Sequence, residues 1–256
     1  MIYVTGDCHG EFKKFTTAAF PEQKEMTKDD IVIICGDFGG VWDEKESRSE
    51  SYWLDWLDKK PFTTVFADGN HENFDRLYND YQTVDFCSGK AHKIRDSVYH
   101  LMRGEIFVFD GRKFFVFGGA ASHDAEDGII SRDDFDTETA FINEIRHWRK
   151  QGKRFRVKGW SWWEQELPSD EEYQNAESNL EKAGYKVDYV ITHCAPELIS
   201  QMVGNGTYIP DRLTLYFDKL RTKLKFRYWF FGHYHNDLII EDKYVLLYDQ
   251  LVKIKS

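Results

Sequence analysis

Proline, paired cysteine and long apolar runs are all scarce in this sequence. There are 5 prolines in 256 residues and no low-complexity tract, so the composition is that of a globular chain. The 4 cysteines, Cys8, Cys35, Cys87 and Cys194, show no CxxC spacing. Neither a zinc knuckle nor a disulfide framework is therefore indicated. Apolar runs such as "IVIIC" and "YWFF" fall far short of the ~18 residues that a membrane-spanning helix needs. The opening "MIYVTGDCHG" has neither the basic stretch nor the apolar stretch of a secretory signal. A reduced, cytoplasmic protein without membrane attachment is expected.

Positive charge is also short. The net charge is −10, which opposes non-specific binding of a polyanion, although bound divalent cations would offset it locally. Residues 146–158, "RHWRKQGKRFRVK", are the regional exception, with 7 Lys or Arg around Trp148 and Phe155. They read either as a solvated helix end and loop or as an anion-recognition arm beside an active site.

What is present is a strand–helix alternation. "MIYVT", "IVIIC" and "FTTVFA" are strands. Helical patterns lie at 10–20 and at 49–60, where Tyr52, Trp53, Trp56 and Leu57 share helical spacing. Such alternation predicts parallel strands with crossovers. Asp110-Gly111 between "EIFVF" and "RKFFVF" predicts a hairpin. Residues 120–185 are polar and rich in tryptophan, and predict a helical, aromatic excursion from one domain spanning 1–256. "VDYVIT" and "FRYWFF" return to strand, and "DLIIEDKYVLLYD" closes with a second hairpin.

Five of these hydrophobic runs stop on residues able to coordinate a metal. They end in Gly6-Asp7-Cys8-His9, Gly36-Asp37, Asp68-Gly69-Asn70-His71-Glu72, His193, and Gly232-His233-Tyr234-His235. The carboxyl ends of strands line the ligand crevice of an open α/β sheet, and glycine there permits sharp turns and close approach. Asp7, His9, Asp37, Asn70, His193, His233 and His235 would thus meet on one rim. Mixed nitrogen and oxygen donors suit Mn, Fe, Zn or Co better than Ca or Mg. Seven donors suit two ions sharing a carboxylate.

"GDCHG", "GDFGG", "GNHE", "THCAP" and "GHYH" together resemble the five motifs of the calcineurin-like metallophosphoesterases and bracket residues 6–235. The resemblance implies an α/β fold (α+β in some schemes), a four-layer αββα sandwich of two mixed β-sheets flanked by helices. It implies two divalent ions, Mn or Fe foremost, with Asp7, His9 and His235 on one, Asn70, His193 and His233 on the other, and Asp37 bridging. Such a pair lowers the pKa of a bridging water from 15.7 to about 7 and neutralises phosphoryl oxygens. The expected reaction is hydrolysis of a phosphoprotein, phosphomonoester or nucleotide. His71 is the candidate general acid, with a hydrogen-bonding role as the alternative.

The Asp-Arg-Gly that the phosphoprotein phosphatase branch carries beyond its bridging aspartate is replaced by Gly40-Val41-Trp42. That leaves Asp43, Asp68 or Glu72 to orient His71. His123, Arg132 and Arg154 are candidate substrate contacts, with Arg156 a further one. "WSWWEQELPS" reads as an anchor for the excursion or as a base-stacking platform. Cys8 and Cys194 read as packing groups. The competing functions are a nuclease, which the net charge disfavours, and a non-catalytic interaction module on the same fold, which the full set of donors disfavours.

Overall fold

The computed structural model describes residues 1–255. Strands β1 (Ile2–Thr5), β2 (Ile31–Cys35) and β3 (Thr63–Ala67) run parallel, and β4 (Gln82–Phe86), β5 (Gly89–Arg95) and β6 (Val98–Leu101) extend the same sheet as a meander. A second sheet begins with the hairpin β7 (Glu105–Phe109) and β8 (Arg112–Phe117), closed by Asp110 and Gly111, both at positive φ. A separate parallel ribbon follows, β9 (Gly128–Ile130) with β10 (Phe155–Val157). The second sheet then resumes with β11 (Tyr189–Thr192), β12 (Tyr228–Phe231), β13 (Leu238–Ile240) and β14 (Tyr244–Leu246), and β15 (Val252–Lys253) returns to pair with β1. The orders are β15-β1-β2-β3-β6-β5-β4 and β13-β14-β12-β11-β8-β7.

Three apolar clusters show the layers. Ile31, Ile33 and Cys35 of β2 point into a core shared with Phe114, Val116, Tyr189, Ile191 and Phe230 of the second sheet. The alternate residues Val32 and Ile34 pack against Leu54 and Leu57 of helix α1 (Arg48–Asp58) and Phe74 and Leu77 of α2 (Phe74–Asn79). Both faces of each strand are covered, which is why these segments read as unbroken apolar runs. The outer face of the second sheet is covered by further helices, with α3 (Glu138–Lys150) standing apart from it. Those helices are α4 (Asp170–Lys182), α5 (Glu197–Gly204) and α6 (Arg212–Lys223). The result is the expected helix–sheet–sheet–helix sandwich.

Several local expectations need correction. The helix expected at 10–20 is absent, and only 3-10 turns form, at Lys13–Phe15 and Pro21–Glu25. Phe12, Phe15 and Phe20 are all buried at a spacing that a helical stripe shares, but the chain between them is broken at Thr16, which is extended. In α1 the buried pair is Leu54 and Leu57, while Tyr52 faces solvent. The excursion is smaller than 120–185. Ile130, Phe141, Ile145 and Val157 form its own small core, whereas Tyr173, Ala176 and Leu180 of α4 belong to the main sandwich. No helix among the described residues is long and apolar enough to cross a membrane.

One buried ionic network supports the end of β3. Asp68 accepts from Arg103 Nε at 2.8 Å and from the Arg103 Nη2 group, and His100 Nε2 lies 3.0 Å from its other oxygen. Asp68, His100 and Arg103 are almost fully buried. Burial would raise the Asp68 pKa, but Arg103 and His100 hold it well below the carboxylate range. Arg103→Met strands this carboxylate and is expected to cost about 3–5 kcal/mol in urea unfolding. Adding Asp68→Asn should recover much of the loss. Equal losses in the single and double variants would show that shape, not charge, carries the contribution.

Candidate metal centre

The register of the parallel strands brings the donors together. Thr5 pairs with Ile34, and Cys35 with Ala67, so Asp7, Asp37 and Asn70 leave the first sheet at nearly the same level. His193 and His233 arrive from the facing ends of β11 and β12. The loops are then tied to each other. Cys8 and His9 main-chain N–H groups donate to the Asp37 carbonyl at 2.9 and 2.8 Å. His233 N–H donates to Asp7 Oδ1 at 3.0 Å. His193 Nδ1 lies 2.8 Å from the Cys35 carbonyl, a contact between the two sheets.

This crowding has a backbone cost. His9, Asp37, His233 and His235 all adopt positive φ, between 45° and 72°, which side-chain-bearing residues rarely do. Room for the side chains comes from glycine. A Cβ on Gly69 would overlap Asp37 Oδ1, and one on Gly232 would overlap Asp7 Oδ1.

Three overlapping groups could each hold an ion, their ligand atoms lying within 4.8 Å of one another: Asp7, His9 and His235; His9, Asp37 and His71; Asp37, His193 and His233. Asp37 is shared between two of them. Asn70 precedes His71 of the second group in sequence, and its Nδ2 donates to Ser122 Oγ at 3.3 Å. Six of the seven donors named from the sequence thus fall in these groups, and Asn70 adjoins them through His71. The donor set fits cations on a further count. Asn70 Oδ1 is buried without a hydrogen bond, an arrangement that is costly unless another ligand answers it, while His193 Nε2 faces Asp37 Oδ1 at 3.1 Å.

Electrostatics agree with a pocket built for positive charge. Asp7 and Asp37 are 2% and 1% exposed. Burial alone would raise Asp37, but His193, His71 and His9 hold it far below the carboxylate range. Burial alone would lower His193, but Asp37 and Asp7 bring its pKa up to about 10. His233 is pushed well down, first by burial and then by its histidine neighbours. Burial pushes the Cys8 thiol up to about 12, as suits a packing group and not a nucleophile.

His71 belongs to the second of the three groups, with Trp42 stacked on its ring at 5.6 Å. None of Asp43, Asp68 and Glu72 hydrogen-bonds its side chain. Glu72 is committed to Phe38 and Gly39 N–H groups, and Asp68 to Arg103 and His100. The partner of His71 Nε2 is instead Arg156 Nη2 at 3.2 Å. His123 reaches the cluster, with Nε2 2.5 Å from His233 Nε2. Arg132 and Arg154 are not brought there, since Arg132 pairs with Glu138 and Arg154 with Glu126 at the surface. A cleft of about 380 Å³ adjoins the cluster, walled by His9, Trp42, Trp53, His71 and Arg156.

Sequence reasoning missed Glu166. It lies within "WSWWEQELPS", is buried, and accepts from Ser122 N–H at 3.2 Å, one step from Asn70. Burial raises its pKa to about 8. In the same stretch Trp163 is buried and donates to Asp75 at 2.8 Å, while Trp160 is half exposed.

Fold and donor set together define a site of the metallohydrolase kind. The model of the calcineurin-like phosphoesterase family matches residues 1–237, and the chain belongs to that family of phosphoester hydrolases. Its curated relatives include lariat debranching enzyme A of Xenopus laevis, 28% identical over 152 residues, which are 54% of this chain and 27% of that protein. The lariat debranching enzymes of Danio rerio and Homo sapiens are each 26% identical over 162 residues, 58% of this chain and 27% and 28% of theirs. The chain thus matches little more than a quarter of these relatives' length.

Metal-stripped protein is expected to gain about 2.7 kcal/mol of stability when Mn²⁺ reaches 100 times its Kd, read as a rise in Tm. Gly69→Ala should abolish most of that rise with an unchanged circular dichroism spectrum. A full rise in the variant would mean that Asp37 does not need the space.

Proposed function

We propose that this chain is a single phosphoesterase domain over residues 1–256 that hydrolyses a phosphoprotein, phosphomonoester or nucleotide with the help of two divalent cations. In this reading Asp7, His9 and His235 hold one ion, Asn70, His193 and His233 the other, and Asp37 serves both. Mn and Fe are the foremost candidates, and the compartment is the cytoplasm. The observation that supports the reading is the clustering of Asp7, His9, Asp37, His193, His233 and His235 in overlapping groups, with the buried Asn70 Oδ1 lacking a hydrogen bond. When bound, the ions supply Lewis-acid charge for phosphoryl oxygens and make water acidic enough to attack at neutral pH.

The remaining steps fall to the protein. The Cys35 carbonyl, accepting from His193 Nδ1–H, turns Nε2 toward the cluster and fixes the tautomer. Glu72 clamps the Phe38 and Gly39 N–H groups and so steadies the loop that carries Asp37. Glu166, through Ser122, steadies Asn70. Trp42 covers one face of His71 and limits water there. His71 gives a proton to the departing oxygen.

A second reading, cleavage of a nucleic acid, is favoured by the similarity to enzymes named for lariat debranching. The net charge of −10 weighs against it. Of the basic stretch at 146–158, only Arg156 is buried toward the cluster, and Arg146, Arg149, Lys150 and Arg154 stand in solvent.

Purified protein with Mn²⁺ is expected to hydrolyse a p-nitrophenyl phosphate mono- or diester, and Asp37→Asn should remove the activity without unfolding the chain. Equal rates in the two proteins would end the proposal. His71→Asn should lower kcat by about 10²–10⁴ on an alkyl ester and by less on the p-nitrophenyl ester, whose leaving group departs without a proton. A uniform loss on both would assign His71 to binding and not to proton donation.

A further inference from the structure

Arg156 occupies a place that its sequence neighbours do not explain. In the ribbon strand β10, Val157 is part of the excursion's small core and Phe155 packs against it. The pleat turns the residue between them to the other face, and there Arg156 is buried against the cleft beside the metal centre. Its Nε donates to Asp124 at 2.7 Å and its Nη1 to the Ser161 carbonyl at 3.1 Å, so two sides of the guanidinium are fixed by the excursion itself. The third side, Nη2, points at His71 Nε2. No other lysine or arginine lines the cleft.

A guanidinium has five N–H donors and no acceptor. Three are engaged here, which leaves two for a ligand in the cleft, whose other titratable residues are His9, His71, Asp43 and Glu50. Its one ionic partner, the Asp124 side chain, is half exposed. With Nη2 on an imidazole acceptor, the buried guanidinium's charge is answered only by the half-exposed Asp124, and an anion entering the cleft would complete its pairing. A planar fork held on two sides is suited to an anion of phosphate geometry.

We propose that Arg156 binds a non-bridging oxygen of the substrate's phosphoryl group, exchanging His71 Nε2 for it, and that the excursion at 121–168 serves to deliver this guanidinium. The proposal rests on the phosphoesterase reading of the site. On substrate entry the phosphoryl oxygen takes the Nη2 donor, and His71 Nε2, released as a free acceptor, takes up a proton from solvent that it can then give to the leaving oxygen. In the substrate-free protein the same contact keeps Nε2 as an acceptor, because Nη2 can only donate.

The test uses inorganic phosphate as the probe and Mn²⁺-loaded protein, so that binding is read by calorimetry without turnover. Arg156→Met should weaken phosphate binding by about 10- to 100-fold, the loss of one charged hydrogen bond, and raise KM for the p-nitrophenyl ester by a similar factor. Arg156→Lys keeps the charge without the fork and should fall between the two. Arg154→Met, at the exposed Glu126 pair, should match the wild type. Wild-type phosphate affinity in a folded, metal-loaded Arg156→Met protein overturns the proposal, as does a lysine variant no weaker than wild type should the methionine variant fail to fold. If the loaded wild type binds phosphate but hydrolyses no ester, the proposed function fails, and Arg156 is still judged by the change in phosphate affinity alone.

Discussion

Two carboxylates, Asp7 and Asp37, are carried by their strands into nearly complete burial within one cluster, and the rest of the site is arranged around the charge they concentrate there. Taking such groups out of water costs several kcal/mol each unless a counter-charge repays it. The protein supplies only part of that repayment. His193 meets Asp37, His235 meets Asp7, and backbone N–H groups from His71 and His233 complete the contacts. Yet the side-chain carbonyl oxygen of Asn70 stays buried with no hydrogen bond. Family membership and the donor chemistry agree on what answers it, a divalent cation.

The sandwich exists, in functional terms, to make that crowding rigid. Four positive-φ residues at the site store strain of order 1–3 kcal/mol each, and strain persists only where the surroundings over-determine it. Here the surroundings are two sheets joined by the His193 to Cys35 contact, and the Arg103–Asp68–His100 network directly behind the GNHE loop. Glycine appears at Gly69 and Gly232 because ligand carboxylates occupy the volume a methyl group would need.

Much of this was legible in the sequence for one physical reason. Strands covered on both faces read as apolar runs, and polar residues placed just beyond them stand out. The meander from β4 to β6 left no such signal, since its first strand is half exposed and mixes Gln, Thr and Asp with Val and Phe. The segment at 10–20 misled because phenylalanines buried from a 3-10 path mimic part of a helical stripe. The excursion was visible as composition, but its arginines could not be sorted by count. Parity sorts them: in "FRV" the apolar residues flank Arg156, so that arginine alone turns away from the excursion's core. Arg154 precedes the strand and stays in solvent.

The substitution of an arginine where a carboxylate is expected changes what holds the acid. A carboxylate on His71 would favour the charged imidazolium. Burial lowers the His71 pKa and Arg156 acts in the same direction, although Asp37 pulls upward. An imidazole whose Nε2 accepts from a guanidinium has no proton to give from that atom while the cation stays. In the proposed exchange a phosphoryl oxygen draws the guanidinium off Nε2, which can then take a proton from solvent, favoured by the negative charge close to the ring. Substrate charge would then do two jobs, seating the ester and readying the acid, and an ester that failed to engage Arg156 would meet a centre with its proton donor still capped. Under the proposed role of Arg156, discrimination of this kind would come from the anion itself, and a chain of net charge −10 would favour a compact phosphate group over an extended polyanion.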